Sequence, residues 1–92
     1  KAVEIEPDHA VTWINRGLAL GVLKRYEEAR ASFERAIELN PESHKAWNYK
    51  GEMLIKLERD LEAIESLDRA LQIDPKYAIA YYNKALCYAL QE

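Results

Sequence analysis

The chain has 92 residues, a formal net charge of −3, and 49% hydrophobic and 32% charged residues. This composition excludes a disordered chain, and three glycines and three prolines leave few turns between regular elements. Acidic and basic residues are mixed along the sequence, so no field of one sign attracts nucleic acid or an anionic membrane, and no apolar run approaches the ~20 residues of a membrane span.

The first predicted element is the last turn of a helix at residues 1–5, whose apolar residues match the end of a later helix. Pro7 ends this helix, because proline disfavours helical geometry in the residue before it, and Asp8 is expected to cap the next one. The first full helix spans residues 10–22. Its frame residues fall on one face at i, i+4 and i+7, and are Trp13, Gly17 and Leu20.

A second predicted helix spans residues 26–39 and carries Ala29, Phe33 and Ala36 on its apolar face. The two helices together form a hairpin. A glycine inside a helix costs about 1 kcal/mol relative to alanine, which indicates a packing requirement at that position. Helices approach closely only where side chains are small, so we expect Gly17 to lie against one of the two alanines.

The same unit then restarts, with predicted helices at 44–56 and 60–73 capped by Ser43 and Asp60, and a fifth helix at 77–90. Equivalent positions are 34 residues apart throughout, and such self-similarity is typical of repeat proteins. The positions related in this way include Trp13, Trp47 and Tyr81; Gly17, Gly51 and Ala85; and Pro7, Pro41 and Pro75. The sequence therefore predicts an array of helical hairpins.

This frame resembles the tetratricopeptide repeat, a family of helical hairpins with the same period. The residues that carry the resemblance are Trp13, Gly17, Ala29, Phe33, Ala36 and Pro41 in the first unit and Trp47, Gly51, Ala63, Leu67, Ala70 and Pro75 in the second. The resemblance implies an all-α, right-handed solenoid that forms one domain and reads as part of a longer array. Its expected parts are the end of a preceding repeat at 1–9, repeat one at 10–43, repeat two at 44–77, and the inner helix of an incomplete third repeat at 78–92.

The resemblance also implies that the first helix of each unit lines a concave groove, which binds peptide segments of partner proteins. Residues offset from the frame by one or two positions face this groove, and are Val11, Ile14, Asn15, Leu18, Val22, Lys45, Asn48, Tyr49, Glu52, Lys56, Ile79, Tyr82, Asn83, Leu86 and Leu90. Because an amide both donates and accepts hydrogen bonds, we hypothesise that Asn15, Asn48 and Asn83 hold the peptide backbone; the alternative is that they are ordinary polar surface residues. Ile14, Leu18 and Leu86 are expected in the core between repeats rather than in contact with a ligand. The predicted function is a protein-protein interaction module, not an enzyme.

Two other functions stay open. The last helix has no second helix of its own repeat to cover it, and we expect the next helix of a longer array to do so; the alternative is a self-assembly scaffold that forms dimers or head-to-tail oligomers. The residues expected in that contact are Tyr81, Leu86, Tyr88 and Leu90. The other alternative is the substrate-recognition arm of a larger enzyme, such as a glycosyltransferase. In that case the catalytic domain would lie in segments that flank this sequence.

A clamp for a terminal carboxylate, which chaperone-binding members of the family build from lysine, asparagine and arginine, is not expected. Most of the corresponding positions hold apolar or aromatic side chains in place of these groups. The residues at the clamp positions are Ile14, Leu18, Tyr49, Ile79 and Asn83.

Catalytic, metal and cofactor sites are not predicted. His9 and His44 stand at successive repeat joints without the local spacing of metal ligands. Cys87 is the single cysteine, so it cannot form an internal disulfide, and a reducing compartment such as the cytoplasm is favoured. Its place within the fifth helix indicates a packing role.

Overall fold

The computed structural model describes the backbone of residues 5–91 and the side chains of residues 9–90. This part of the chain consists of five α-helices and contains no strand, which confirms the predicted all-α class. Short connections of three or four residues place consecutive helices antiparallel. The helices are α1 (Ile5–Val22), α2 (Tyr26–Leu39), α3 (His44–Lys56), α4 (Asp60–Ile73) and α5 (Ala78–Gln91).

The helices α2, α3 and α4 begin and end at the predicted residues, whereas the start of α1 corrects the prediction. Ile5 opens α1 instead of closing a preceding helix, and Pro7 and Asp8 lie inside the helix. Proline is tolerated there, because the first four N–H groups of a helix have no intrahelical acceptor. The rest of the predicted helix end, residues 1–4, lies outside the described residues.

Side-chain capping follows the prediction at one helix and departs from it at another. Ser43 Oγ accepts a hydrogen bond from the Ala46 N–H at 3.3 Å, which confirms Ser43 as the N-cap of α3. Asp60 is wrong as a cap, because it is the first residue of α4 and Arg59 stands at the cap position without a side-chain hydrogen bond. A carboxylate in the first turn is still stabilised by the helix dipole.

The frame glycines set the distance between the two helices of each hairpin. The atoms nearest to a Cβ on Gly17 belong to the ring of Phe33, which lies between the two alanines expected at this contact. A Cβ placed on Gly17 would lie 2.6 Å from Phe33 Cε1, and one on Gly51 would lie 2.8 Å from Leu67 Cδ2. Each glycine thus admits the large side chain at the centre of the facing helix, and buried alanines on either side of that side chain let the backbones approach.

Two hydrophobic clusters hold the hairpins together. The first joins Ala29 and Phe33 of α2 to Met53 of α3. The second joins α3, α4 and α5, and consists of Leu54, Ile55, Ala63, Leu67, Ala70, Ala80 and Cys87. Because α3 contributes to both clusters, it links the two hairpins into one stack, which measures 51 × 29 × 16 Å.

Candidate functional site

A groove of about 470 Å³ lies between α3 and α5. Its wall on α3 is a single helix face, because the residues that form it are spaced at i, i+3 and i+4. The residues that line the groove are Glu52, Ile55, Lys56, Asn83, Leu86 and Leu90. It therefore combines aliphatic surface with one carboxylate and one ammonium group.

Three polar side chains form a hydrogen-bonded network beside this groove. The Nδ2 atom of Asn83 donates to Asn48 Oδ1 at 3.0 Å and to Glu52 Oε2 at 3.1 Å. The Nδ2 atom of Asn48 donates to the same carboxylate oxygen at 3.3 Å. Asn48 is fully buried and Asn83 is 5% exposed, so the network ties α5 to α3 inside the protein.

The expectation that Asn48 and Asn83 present their amides to a peptide is therefore wrong in its geometry. Both side chains lie where α3 meets α5, and a buried amide requires hydrogen-bond partners within the protein. Asn15 stands at the position equivalent to Asn83 and is exposed, because no helix precedes α1 in the part of the chain that the structure describes.

The other predicted groove residues fall into three groups. Glu52, Lys56, Leu86 and Leu90 line the groove together with Asn83. Ile14 and Tyr49 are half-buried and pack against the first cluster, where the ring of Tyr49 lies 5.4 Å from that of Phe33. The remainder are exposed outside the groove, and are Val11, Asn15, Leu18, Val22, Lys45, Ile79 and Tyr82.

The residues predicted for self-association lie in two different places. Leu86 and Leu90 belong to the groove, whereas Tyr81 and Tyr88 are about half exposed outside it, at 54% and 52%. Sequence reasoning missed only Ile55 among the residues that line the groove. Its position three residues after Glu52 is the signal that identifies it, because that spacing returns to the same helix face.

Negative charge accumulates near the start of α5. Burial raises the pKa of the Tyr77 phenol, and its interactions with the Tyr49 phenol and with the carboxylates of Glu52 and Asp74 raise it further. Lys84 does not offset this charge in the groove, because its Nζ lies 2.7 Å from Asp68 Oδ1. The carboxylate of Glu52 is thus the dominant charge at the Asn83 side of the groove.

A second concavity, of about 360 Å³, lies between α2, α3 and α4. Its charged groups pair with one another: Glu34 Oε2 accepts from Arg30 Nη1 at 2.6 Å and lies 3.4 Å from Lys50 Nζ. The same ammonium lies 5.3 Å from the centroid of the Trp47 ring. Because Arg30, Glu34 and Lys50 already have partners within the protein, this concavity is the weaker candidate for a ligand.

Residues 9–90 contain no group of three His, Cys, Asp or Glu side chains placed to hold a metal ion. Cys87 is fully buried, and burial raises the pKa of its thiol, which keeps it protonated and unreactive at neutral pH. His44 packs edge-on against the Tyr77 ring at a centroid distance of 4.5 Å, which gives it a place in the repeat joint. None of the described helices is long and apolar enough to cross a membrane.

A family model for the tetratricopeptide repeat matches residues 14–78, which is well over half of the chain. Among curated proteins, the uncharacterised protein MJ0572 of Methanocaldococcus jannaschii is 51% identical over 35 residues. That match covers 38% of this chain and 41% of the relative, so it spans less than half of either sequence.

Two solved structures are similar over nearly the whole chain. The Arabidopsis OM64 TPR domain matches with a TM-score of 0.91 at 19% identity, over 94% of this chain and 71% of that domain. The second TPR of Spaghetti (RPAP3), solved with the HSP90 peptide SRMEEVD, matches with a TM-score of 0.91 at 16% identity, over 99% of this chain and 84% of its own. At these identities the likeness establishes the α-solenoid fold.

Proposed function

Because this chain belongs to the tetratricopeptide repeat family, we propose that it is a protein-interaction module that binds a peptide segment of a partner protein. The observation that carries the proposal is the groove between α3 and α5, where Leu86 and Leu90 offer exposed aliphatic surface beside the buried Ile55 and charged groups. Leu90 is 58% exposed, so a bound peptide would remove apolar area from water there.

The chemistry of the groove favours an internal peptide segment over a free carboxyl terminus. The structural relative Spaghetti was solved with an HSP90 peptide, but the positions at which related domains hold a terminal carboxylate are mostly apolar or aromatic in this chain. Those positions are Ile14, Leu18, Tyr49, Ile79 and Asn83, and the one amide among them is already bonded to Asn48 and Glu52.

The test begins with a phage-displayed library of random 12-residue peptides selected on the wild-type chain. Binding of the enriched peptides is then measured by fluorescence anisotropy on Leu90→Asp, which we expect to raise the Kd about tenfold or more, because a carboxylate replaces apolar contact area.

Leu61→Asp is the matched control, since Leu61 is 75% exposed on α4 and lies outside the groove. We expect the Kd of this variant to stay within about twofold of wild type. If both variants bind the selected peptides as wild type does, or if no peptide is enriched, the groove is not the binding site.

Self-association is a second candidate function, favoured by Tyr81 and Tyr88. They occupy the frame of α5 and are about half exposed, whereas the equivalent Leu54 of α3 is buried and the equivalent Trp47 is half-buried against the second cluster. Sedimentation velocity over a dilution series tests this contact, with Tyr88→Glu as the variant. A chain that stays monomeric at millimolar concentration would exclude self-association.

A further inference from the structure

The Glu52 carboxylate is held in place by the protein on one side only. Both hydrogen bonds that it accepts in the described structure end on Oε2, from Asn83 at 3.1 Å and Asn48 at 3.3 Å. Because a carboxylate oxygen has two lone pairs, these amide donors occupy Oε2. Oε1 of Glu52 keeps its capacity to accept a hydrogen bond.

Glu52 also has no cationic partner among residues 9–90, where the ion pairs involve other carboxylates. Its nearest cation in the groove lining is Lys56, one helical turn away on the same face. The aliphatic side chains of Ile55, Leu86 and Leu90 complete the lining, so a partner here must supply both positive charge and apolar surface.

We propose that Glu52 selects the peptide partner by binding one lysine side chain, whose ammonium donates to Oε1 while its methylene stem packs on Leu86 and Leu90. This inference rests on the groove function proposed above and names the chemistry of its ligand. Lysine suits the site because its aliphatic stem packs against apolar side chains while the charged end reaches a polar group.

The site favours lysine over arginine, and it favours one lysine over a run of basic residues. Arginine is favoured where both carboxylate oxygens accept its guanidinium fork, but Oε2 of Glu52 is already occupied, which removes that advantage. Lys56 repels a second positive charge one turn further along α3, so the site accepts a single lysine flanked by apolar residues and disfavours a basic run.

The fixed position of Glu52 makes this contact stronger than an ordinary surface ion pair. Exposed pairs contribute little, partly because two long side chains must be ordered at once. The two asparagines have already ordered the carboxylate, so only the ligand lysine loses freedom on binding. We therefore expect removal of either charge to weaken binding about tenfold.

The experiment compares wild type with Glu52→Gln, whose side-chain oxygen still accepts from both asparagines while its amide nitrogen replaces Oε1. The same 12-residue peptide library is selected on both proteins. Wild type should enrich peptides with one lysine among apolar residues, and Glu52→Gln should lose that enrichment. The control is Glu42→Gln, which removes the same charge from the exposed connection between α2 and α3, outside both concavities, and should leave the enrichment unchanged.

A double-mutant cycle then separates this contact from general charge effects. The selected peptide is synthesised with lysine or with acetyl-lysine, and both forms are titrated against wild type and Glu52→Gln. Acetylation should weaken binding to wild type about tenfold and to Glu52→Gln less than twofold. Thermal unfolding of Glu52→Gln within a few degrees of wild type confirms that the network is retained.

The outcomes separate this inference from the groove function. Peptides that lose binding on Leu90→Asp but show no lysine enrichment, or a cycle in which the two changes are additive, overturn the role of Glu52 and leave the groove as the binding site. An arginine peptide that binds about tenfold more tightly than its lysine counterpart overturns the proposal that the ligand contacts only Oε1 of Glu52. Peptides insensitive to Leu90→Asp contradict the groove function itself.

Discussion

Glycines in this chain have different roles that depend on the atoms that face them. At Gly51, a Cβ would lie 2.8 Å from Leu67 Cδ2 and 3.3 Å from the Ala63 carbonyl oxygen, so α4 packs directly against the backbone of α3 at this residue. At Gly21, a Cβ would lie 3.5 Å from the Met53 side chain, which is an ordinary van der Waals contact. Glycine is therefore required at positions 17 and 51, where Phe33 and Leu67 of the facing helix lie against the backbone, and it is not required at position 21.

We expect Gly51→Ala to lower the free energy of unfolding by about 1–3 kcal/mol, because Leu67 must move within a packed core. This range is the net effect: alanine has a higher helix propensity than glycine by about 1 kcal/mol, and that gain has been subtracted from the packing cost. Gly21→Ala is the control and should raise the free energy of unfolding by up to ~1 kcal/mol. Urea denaturation followed by circular dichroism measures both, and a stabilising Gly51→Ala would contradict the close contact.

The buried asparagines make a second prediction at this scale. Asn83→Ala leaves the buried Asn48 Oδ1 without a donor and removes one of the two donors to Glu52 Oε2, so we expect it to lower the free energy of unfolding by about 1–3 kcal/mol. Asn15→Ala changes the equivalent but exposed position and should stay within about 0.5 kcal/mol of wild type. Equal effects in urea denaturation would show that Asn83 does not have the structural role assigned to it.

At the scale of the element, the turn inside each hairpin is built in the same way twice. Lys24 and Glu58 have φ of 64° and 63°, the left-handed region that favours glycine. The N–H that follows each of them reaches back to the helix, from Arg25 to Leu20 O at 2.9 Å and from Arg59 to Leu54 O at 2.8 Å. This pattern is the Schellman motif, which usually has glycine at the left-handed position.

We expect Glu58→Gly to raise the free energy of unfolding by about 1 kcal/mol, because it relieves the left-handed strain of a residue with a Cβ. The control is Glu42→Gly in the connection between α2 and α3, where φ is not positive and glycine adds only chain freedom to the unfolded state. Thermal and urea unfolding of both variants test the difference. A destabilised Glu58→Gly would mean that its side chain has an unrecognised contact.

For the whole molecule, the controlling feature is that each hairpin contacts only its neighbours in the stack. The helix α3 is covered on both sides, because Met53 packs towards α2 while Leu54 and Ile55 pack with α4 and α5. The helix α5 is covered on one side, and its Tyr81, Tyr82 and Tyr88 remain more than half exposed. Local stability should therefore fall from α3 to α5.

Hydrogen exchange of backbone amides tests this gradient. We expect the amides of α5 to exchange at least tenfold faster than those of α3, because fewer buried contacts oppose local opening of α5. The two helices are a matched pair, since both are the first helix of their repeat and differ by one residue in length. Equal protection would indicate that another surface, such as a second copy of the chain, covers α5.

Equivalent positions show where prediction from sequence reaches its limit. One set of positions related by the 34-residue period consists of Ala19, Met53 and Cys87. Ala19 is exposed while the other two are buried, because only α3 and α5 have a preceding hairpin in the described structure. The period fixes the helix face of a residue, but the neighbour in the stack fixes its burial. For this reason the helix faces of the groove-lining residues follow from the period, whereas the burial of Asn48 and Asn83 does not.

The sequence by itself determined the repeat, its helices and their faces, because these follow from local propensity and from a period that recurs along the chain. Only the tertiary structure decided that Phe33 and Leu67 fill the space left by the frame glycines, and that Asn48 and Asn83 hold Glu52 from two helices. Except for the bond from Asn48 to Glu52 within α3, these contacts join residues about 16 or 31 positions apart, and they depend on how helix backbones approach one another, a distance that no local pattern contains.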